Sequence, residues 1–134
     1  MHKTKIVTSF LKNSDNILLL RRSGKVRSMK NLWAGISGII EGDEKPIKRA
    51  EIEIFEEVGI RKSDITLVKE GKIILIKSPQ YVNHQWEVYP FLFSCSNIEI
   101  KLNWENSDSR WIKINELNNF TTVPSLDKVL ARLF

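Results

Sequence analysis

The stretch at residues 38–60, GIIEGDEKPIKRAEIEIFEEVGI, decides the fold, and its second half has the pattern of an amphipathic helix. Pro46 suits a first helical turn, because the N–H that proline lacks would have no partner there, and Gly59 is a helix-ending signal. At 100° per residue, the apolar side chains fall on one arc that we expect to be buried: Ile47, Ala50, Ile54 and Val58.

Three glutamates of the same helix, Glu53, Glu56 and Glu57, share another arc because they are spaced i, i+3 and i+4. Like charges at this spacing repel one another, so a helix selected only for stability would carry lysines between them. A hard divalent cation such as Mg²⁺, with Mn²⁺ as a substitute, removes the repulsion because it binds carboxylate oxygens. From the spacing alone, a solvated acidic face remains an open alternative.

The whole stretch resembles the Nudix box, G-x5-E-x7-R-E-U-x-E-E-x-G-U, in which U is an apolar residue. The matching positions are Gly38, Glu44, Glu53, Ile54, Glu56, Glu57, Gly59 and Ile60. The chain departs from the box at Ile52, where the family has arginine. The resemblance implies an α/β Nudix fold, with a mixed β-sheet sandwiched between helices, and a pyrophosphohydrolase activity. It also implies that the backbone carbonyl of Gly38 is a further metal ligand.

The composition predicts one globular domain over residues 1–134, with 42% hydrophobic and 28% charged residues. The longest apolar runs are far too short to span a bilayer, and the N-terminus lacks the apolar segment of a signal peptide. Cys95 is the only cysteine, which excludes an intrachain disulfide and favours a reducing compartment. We therefore expect a cytoplasmic protein without a membrane partner, and a homodimer remains open.

Strand patterns fill most of the remaining chain. They cover residues 5–11, 16–22 and 32–38 before the helix, and residues 65–68, 71–76, 85–95 and 98–102 after it. Ser78, Pro79 and Gln80 interrupt this pattern. Because Pro90 lacks an N–H, it predicts either an edge strand or a bulge.

The C-terminal part of the chain predicts two helices. A short one is expected at residues 115–117, after a strand that carries Trp111. The last helix is expected to have Thr122 or Val123 at its cap and Pro124 in its first turn. Its buried face is expected at Leu126, Val129, Leu130 and Leu133, which are spaced i, i+3, i+4 and i+7.

A basic segment at residues 21–30 holds five cations just upstream of the acidic helix. One alternative is a solvated loop. The other, which the proximity to the helix favours, is a loop that binds phosphate groups through Arg22, Lys25 and Arg27. The net charge of +5 fits either an enzyme for anionic substrates or a nucleic-acid binder.

The predicted chemistry follows from the charge of a pyrophosphate linkage, which repels an attacking nucleophile. Metal ions held by Glu53, Glu56 and Glu57 would clamp the phosphates and lower the pKa of a bound water. Glu53 and Glu105 are both candidates for the general base, because Glu105 lies on a loop that could face the site.

Arg49 is the nearest substitute for the missing box arginine, since it precedes Glu53 by four residues and Glu56 by seven. In the family, the arginine is thought to orient the glutamates through charge-assisted hydrogen bonds, and Ile52 can only pack. We predict that Arg49 has taken over this role, and we also count it among the candidates for substrate binding. The alternative is an ordinary surface residue.

Other residues give weaker signals. His84 has no second histidine near it, so we expect a surface or packing role, and Cys95 is expected in the core. One of the aromatic residues in the strand pattern could stack a base: Tyr81, Trp86 or Tyr89.

Three functions remain in view. The leading one is a Mg²⁺-dependent hydrolase of a nucleoside diphosphate linked to another group, such as a nucleoside triphosphate or an ADP-ribose-like compound. The second is a nucleotide-binding regulatory module with little turnover. The third is RNA binding or 5′-end processing, but we expect a small nucleotide-type substrate, and not nucleic acid, as the partner. The stretches WAGISGIIE, VYPFLF and TVPSL also resemble, more weakly, Nudix modules fused to initiation-factor-2B-like domains in some archaea.

Overall fold

The computed structural model describes residues 2–77 and 83–134, and its elements follow the predicted order. The strands are β1 (His2–Asn13), β2 (Asn16–Arg22), β3 (Trp33–Ala34), β4 (Ile36–Ile39), β5 (Ile65–Glu70), β6 (Ile74–Ile76), β7 (His84–Cys95) and β8 (Asn106–Ile112). The helices are α1 (Pro46–Val58) and α2 (Leu126–Ala131), and two short 3₁₀ helices cover Lys62–Asp64 and Ile114–Asn119. The predicted break at Ser78, Pro79 and Gln80 and the predicted aromatic contact of Tyr81 lie outside the described residues.

The sheet is mixed, and β1 and β7 form its centre by running parallel to each other. On one side, β1 pairs antiparallel with β2 and β4, and β2 extends the sheet to β3 and β8. On the other side, β7 pairs antiparallel with β5 and β6. Parallel pairing of β1 and β7 requires a long crossover, and this crossover contains α1.

Alternate side chains of the strands enter two apolar cores on opposite faces of the sheet. On β2, Leu18 and Leu20 belong to the core that contains α1, whereas Ile17 and Leu19 belong to the core that contains α2. The two helices contribute the buried residues Ala50, Ile54 and Val58 from α1, and Leu126, Val129 and Leu130 from α2. The predicted α/β class, a mixed sheet between helices, is confirmed.

The termini of α1 are set by the residues that the sequence indicated. Pro46 occupies the first turn, and Gly59 adopts a left-handed conformation with φ of 75° while its N–H donates to the carbonyl of Phe55. Only glycine takes this φ at no steric cost, which explains the sharp end of the helix. On the expected buried arc, Ile47 is half-buried and the other three residues are fully buried.

Of the two alternatives for Pro90, the edge strand is wrong, because β7 has neighbours on both sides. The register shift between β5 and β7 lies on β5, between Leu67 and Lys69, and not at Pro90. Pro90 lies where β7 changes partners: the pairing with β6 ends at Val88 and the pairing with β5 begins at Phe91. Its missing N–H therefore removes no ladder bond to β5 or β6. Its carbonyl accepts the N–H of Gly71 at 2.9 Å.

Residues 98–102 form no strand, contrary to the prediction. Ile100 and Leu102 pack against the core that contains α1 and Glu99 and Lys101 are exposed, so burial alternates from Glu99 to Leu102, whereas Ile98 is exposed and lies outside this alternation. The segment runs along the end of α1 instead, where the N–H of Lys101 donates to the carbonyl of Val58 at 2.9 Å. Alternation therefore indicates an extended, half-buried segment here without indicating its hydrogen-bond partner.

Two further bounds differ from the prediction. The strand expected at residues 32–38 is divided into β3 and β4 at Gly35, where a Cβ would lie 2.9 Å from the ring of Phe10. The last helix begins at Leu126, and its cap is Ser125 in a left-handed conformation, so Thr122, Val123 and Pro124 all precede it. Thr122 instead makes a bridge to Trp33, which holds this segment against β3.

Candidate active site

A cavity of about 450 Å³ lies between the sheet and the segment that leads into α2. One end is apolar and includes Ile6, Ile76, Trp86 and Val88. The other end carries the charged side chains Arg22, Glu41, Arg49, Glu53 and Glu105. The cavity thus combines an apolar compartment with a cluster of charges, as ligand sites commonly do.

Glu53 reaches this cavity because Gly38 has no side chain. A Cβ on Gly38 would overlap Cγ and Cδ of Glu53, so any other residue would push the carboxylate away. Gly38 lies in β4, and α1 packs against this strand. The first glycine of the motif therefore leaves the space that the side chain of Glu53 occupies.

Arg49 joins Glu53 to the start of α1. Its Nη1 donates to Oε2 of Glu53 at 3.0 Å. Its Nε and Nη2 donate to the two carboxylate oxygens of Glu44 at 2.7 and 3.0 Å. Such a two-pronged pair is a strong form of charge-assisted hydrogen bond, and it lowers the pKa of Glu44. Glu44 in turn accepts the N–H of Glu41 at 2.7 Å, so it braces the loop before the helix.

Ile52 is 40% exposed and, being apolar, contributes no hydrogen bond to this network. The charge-assisted hydrogen bond to Glu53 thus comes from the guanidinium of Arg49, because Ile52 cannot donate one. The contact between Arg49 and Glu53 is therefore present, and its orienting role in catalysis stays a prediction.

Glu57 is a buried carboxylate with an incomplete set of partners. It is 4% exposed, and its Oε1 accepts a hydrogen bond from Nδ2 of Asn106 at 3.0 Å. Its Oε2 is buried without a hydrogen-bond partner among the described residues. Burial raises the pKa of Glu57 well above its ordinary value, and the charges of Glu105 and Glu53 raise it further.

Glu53 lies in a similar environment, because burial raises its pKa even though Arg49 donates to it. The neighbouring charges of Glu56 and Glu105 act in the same direction. Glu56 itself is exposed, so the three glutamates of the predicted arc divide into two buried carboxylates and one at the surface.

Glu105 is brought to the site by the connection before β8. Its backbone carbonyl accepts the N–H of Ser23 at 2.8 Å, and the hydroxyl of Ser23 donates to the carbonyl of Trp104 at 2.8 Å. Its charge acts on both Glu53 and Glu57, and its side chain lines the cavity. The loop that the sequence suggested as a source of a base therefore does face the site.

The basic segment divides into residues that reach the cavity and residues that do not. Arg22 lines the cavity, and its guanidinium donates twice to the carbonyl of Ser28, at 3.2 and 3.1 Å. Its charge opposes the rise in the pKa of Glu57. Lys25 and Arg27 are exposed and do not line the cavity.

Within residues 2–77 and 83–134, no three His, Cys, Asp or Glu side chains are already arranged as a metal site. The donor chemistry nevertheless fits a hard cation, because two buried carboxylates lie together and one oxygen of Glu57 has no donor. The pair of buried glutamates is thus a partial ligand set.

Sequence reasoning did not single out Asn106, which is the hydrogen-bond donor to Glu57. The only available signal was its place beside Glu105. Among the residues with weaker signals, Trp86 lines the cavity, Cys95 is buried, and Tyr89 donates to Glu87. His84 bonds with the hydroxyl of Thr4 and contacts the ring of Trp86, which agrees with a packing role.

A family model described as NUDIX domain matches residues 2–133. Because this match covers nearly the whole chain, the protein belongs to the NUDIX domain family. No curated protein matches the sequence. The weaker resemblance to modules fused to initiation-factor-2B-like domains is not supported by any of these comparisons.

Solved structures agree with the family. A MutT NUDIX hydrolase from Burkholderia pseudomallei has a TM-score of 0.79 at 15% identity, with 100% of both chains covered. The NUDIX domain of Shewanella oneidensis NrtR, complexed with ADP ribose, has a TM-score of 0.78 at 13% identity and covers 99% of this chain and 87% of its own. A C. elegans Ap4A hydrolase has a TM-score of 0.75 at 17% identity, with coverage of 99% and 95%. At identities this low the likeness shows the fold.

The family match over residues 2–133 bears out the predicted enzyme class, a Nudix-type pyrophosphohydrolase. In the part of the chain that the structure describes, no helix is long and apolar enough to cross a membrane.

Proposed function

We propose that the chain is a divalent-metal-dependent hydrolase that cleaves the pyrophosphate linkage of a nucleoside diphosphate joined to another group. Nucleoside triphosphates and ADP-ribose-like compounds are the expected substrates. The observation that carries the proposal is the pair of buried carboxylates on α1, Glu53 and Glu57, of which Glu53 lines the cavity. Two buried like charges are costly unless a cation binds them, so stability alone does not account for their position.

Mg²⁺, or Mn²⁺ in its place, would be held by Glu53, Glu56 and Glu57 and by the carbonyl of Gly38. When bound, such an ion would neutralise charge on the phosphates and would lower the pKa of a bound water, so that hydroxide would be available to attack phosphorus. The unpartnered Oε2 of Glu57 supports this ligand set. Glu56 is exposed, which suits a ligand that completes its contact only when substrate and metal are present.

We assign the general base to Glu105 in preference to Glu53. Oε2 of Glu53 already accepts a hydrogen bond from Arg49, which holds this carboxylate in one orientation, as a metal ligand requires. The described ion pairs of the chain include none to Glu105, and its carboxylate lines the cavity. A carboxylate that is free of cations and near the attacking water is suited to accept a proton.

Arg22 and Arg49 are proposed to contact the phosphates inside the cavity, whereas Lys25 and Arg27 attract the anion from outside it. The solved relatives support a nucleotide-type ligand, because one is an Ap4A hydrolase and another holds ADP ribose. We further propose that the protein acts in the cytoplasm on small molecules and as a single domain.

A second candidate function is a nucleotide-binding module with little turnover. It is favoured by the replacement of the motif arginine by Ile52. A panel of nucleotides incubated with Mg²⁺ or Mn²⁺ separates the two functions. Metal-dependent release of phosphate, pyrophosphate or a nucleoside monophosphate is expected for the hydrolase, and saturable binding without release is expected for the module.

A further inference from the structure

Two hydroxyl groups lie side by side within the cavity. Oγ1 of Thr8 and Oγ of Ser37 are 3.1 Å apart, and the two residues are register partners on β1 and β4. Thr8 is 6% exposed and Ser37 is half-buried, and both line the cavity. One hydrogen bond between two hydroxyls leaves one O–H and several lone pairs for a ligand.

The position of this pair follows from the order of the strands. Neighbouring strands β4, β1, β7 and β6 form one floor of the cavity, with Ser37 on β4, Thr8 on β1, Trp86 on β7 and Ile76 on β6. Gly38 follows Ser37 in β4 and faces the other side of the sheet, where it makes room for the carboxylate of Glu53, and Glu53 also lines the cavity. Trp86 and Ile76 pair at the level of Thr4, four residues before Thr8, so the indole lies about 13 Å along the strands from Thr8 and on the neighbouring strand.

Along the strands, the hydroxyl pair is therefore followed by Ile6 and Val88, two residues away, and then by Trp86, while the carboxylate of Glu53 lines the same cavity. Ile6 and Val88 continue the apolar surface beside Trp86, because they are register partners on β1 and β7. A nucleotide has the matching groups: phosphates, then a sugar with hydroxyls, then a flat base. Hydroxyls in a mostly apolar compartment also fit a neutral polar group better than a charged one.

We propose that Thr8 and Ser37 bind the ribose hydroxyls of the substrate and so determine specificity for the sugar. The inference rests on the proposed function, because it assumes that the phosphates lie at the carboxylate end. The pair donates through its remaining O–H and accepts through its lone pairs, and a ribose hydroxyl can do both. A sugar that lacks the contacted hydroxyl leaves Thr8 and Ser37 bonded only to each other or to water.

A neutral hydrogen bond contributes modestly, so we expect each missing ribose hydroxyl that the pair contacts to weaken binding about two- to twelvefold. Thr8→Val keeps the shape of the side chain and suits a β-strand, and Ser37→Ala removes the partner hydroxyl from the other strand. Thr66→Val is the matched control, because Thr66 is an exposed strand residue outside this cavity.

The test is calorimetric binding of ADP, 2′-deoxy-ADP and 3′-deoxy-ADP to the wild type and the three variants. The expected result is that the wild type binds at least one deoxy compound more weakly, that Thr8→Val and Ser37→Ala reduce this difference, and that Thr66→Val keeps it. Equal binding of all three compounds by the wild type overturns the inference, and so does undiminished discrimination in both cavity variants.

Binding is chosen because it does not require turnover. If the wild type discriminates as expected but hydrolyses no nucleotide, the hydrolase proposal fails while the sugar contact stands. If it hydrolyses ribo- and deoxyribonucleotides with equal kcat/KM and binds them equally, the hydrolase proposal stands and the sugar contact fails.

Discussion

Nη1 of Arg49 lies 3.0 Å from Oε2 of Glu53, one helical turn further along the same face of α1. The same guanidinium also forms an ion pair with Glu44, so Arg49 links the two carboxylates. An exposed pair at this spacing is worth only about 0.3–0.5 kcal/mol, but both side chains here are largely shielded, with 14% and 11% exposure. Such a bridge fixes the direction in which the glutamate points.

Replacing Arg49 with Ala is therefore expected to reduce kcat at least about tenfold, which corresponds to about 1.4 kcal/mol of transition-state stabilisation. The reason is that Glu53 loses the donor that positions it. Adding Ile52→Arg in that background should recover part of the loss. Steady-state kinetics on the best substrate measure both effects. Lys48→Ala, at an exposed neighbour on the same helix, is the control. Wild-type kcat in Arg49→Ala would show that the contact is only structural.

Gly38→Ala is expected to reduce turnover by about tenfold or more while the protein remains folded, because the new methyl group displaces the carboxylate of Glu53. Gly24→Ala is the matched control, since a Cβ at Gly24 would meet no atom within 4 Å. Circular dichroism establishes that both variants fold, and their kcat values are then compared. Equal activities in the two variants would contradict the steric role of Gly38.

Glu57→Gln is expected to abolish metal-dependent hydrolysis and to stabilise the metal-free protein at neutral pH. The amide removes a buried charge and can still accept the hydrogen bond from Asn106. A rise in Tm of about 2–6 °C in the presence of a chelator is the expected size. Glu56→Gln is the comparison, because Glu56 is exposed and its loss should leave the metal-free Tm nearly unchanged.

The buried carboxyl of Glu57 also predicts how the stability of the metal-free protein depends on pH. Because folding raises the pKa of Glu57 above the ordinary value of 4.5, the folded state binds a proton more readily than the unfolded state does. The metal-free protein should therefore lose stability as pH rises from about 4.5 through the raised pKa. Urea unfolding at several pH values measures this slope. Glu57→Gln should show a smaller loss over that window, and an identical slope in both proteins would exclude Glu57 as the group responsible.

Arg22→Ala is expected to raise KM for a nucleoside triphosphate about tenfold and to change kcat only a few-fold, because Arg22 lines the cavity and its contact serves ground and transition states alike. The double variant Lys25→Ala and Arg27→Ala should raise KM less, and its effect should shrink with added salt, since both side chains are exposed. An unchanged KM in Arg22→Ala would indicate that the basic segment at residues 21–30 is only a solvated loop.

The helix and its charged face could be predicted because their signals are local. Pro46, Gly59 and the spacing of the glutamates depend only on the geometry of one helix. Burial of Glu57 but not of Glu56 also follows the helix geometry, because at 100° per residue Glu57 lies about 20° from the buried Ala50 and Glu56 about 120° from it. The hydrogen-bond donor to Glu57 is Asn106, 49 residues away in sequence, and no spacing rule within the helix indicates that partner.

The interior position of β7 and the missing strand at residues 98–102 have the same origin. The local sequence around Pro90 and Ile100 indicates an extended, partly buried chain. It does not indicate the neighbouring strand, which depends on the topology of the sheet. The hydroxyl pair was also hidden, because Thr8 and Ser37 become neighbours only through the register of β1 and β4.

The most direct test of the account is a metal titration of nucleotide hydrolysis with the wild type and with Glu57→Gln. The panel should contain ATP, ADP-ribose and Ap4A, each assayed with a chelator and with increasing Mg²⁺ or Mn²⁺. The account predicts saturable, metal-dependent cleavage of at least one compound by the wild type and none by Glu57→Gln. Cleavage that persists in the chelator or in Glu57→Gln would contradict it, and binding of the panel without any cleavage would favour the nucleotide-binding module.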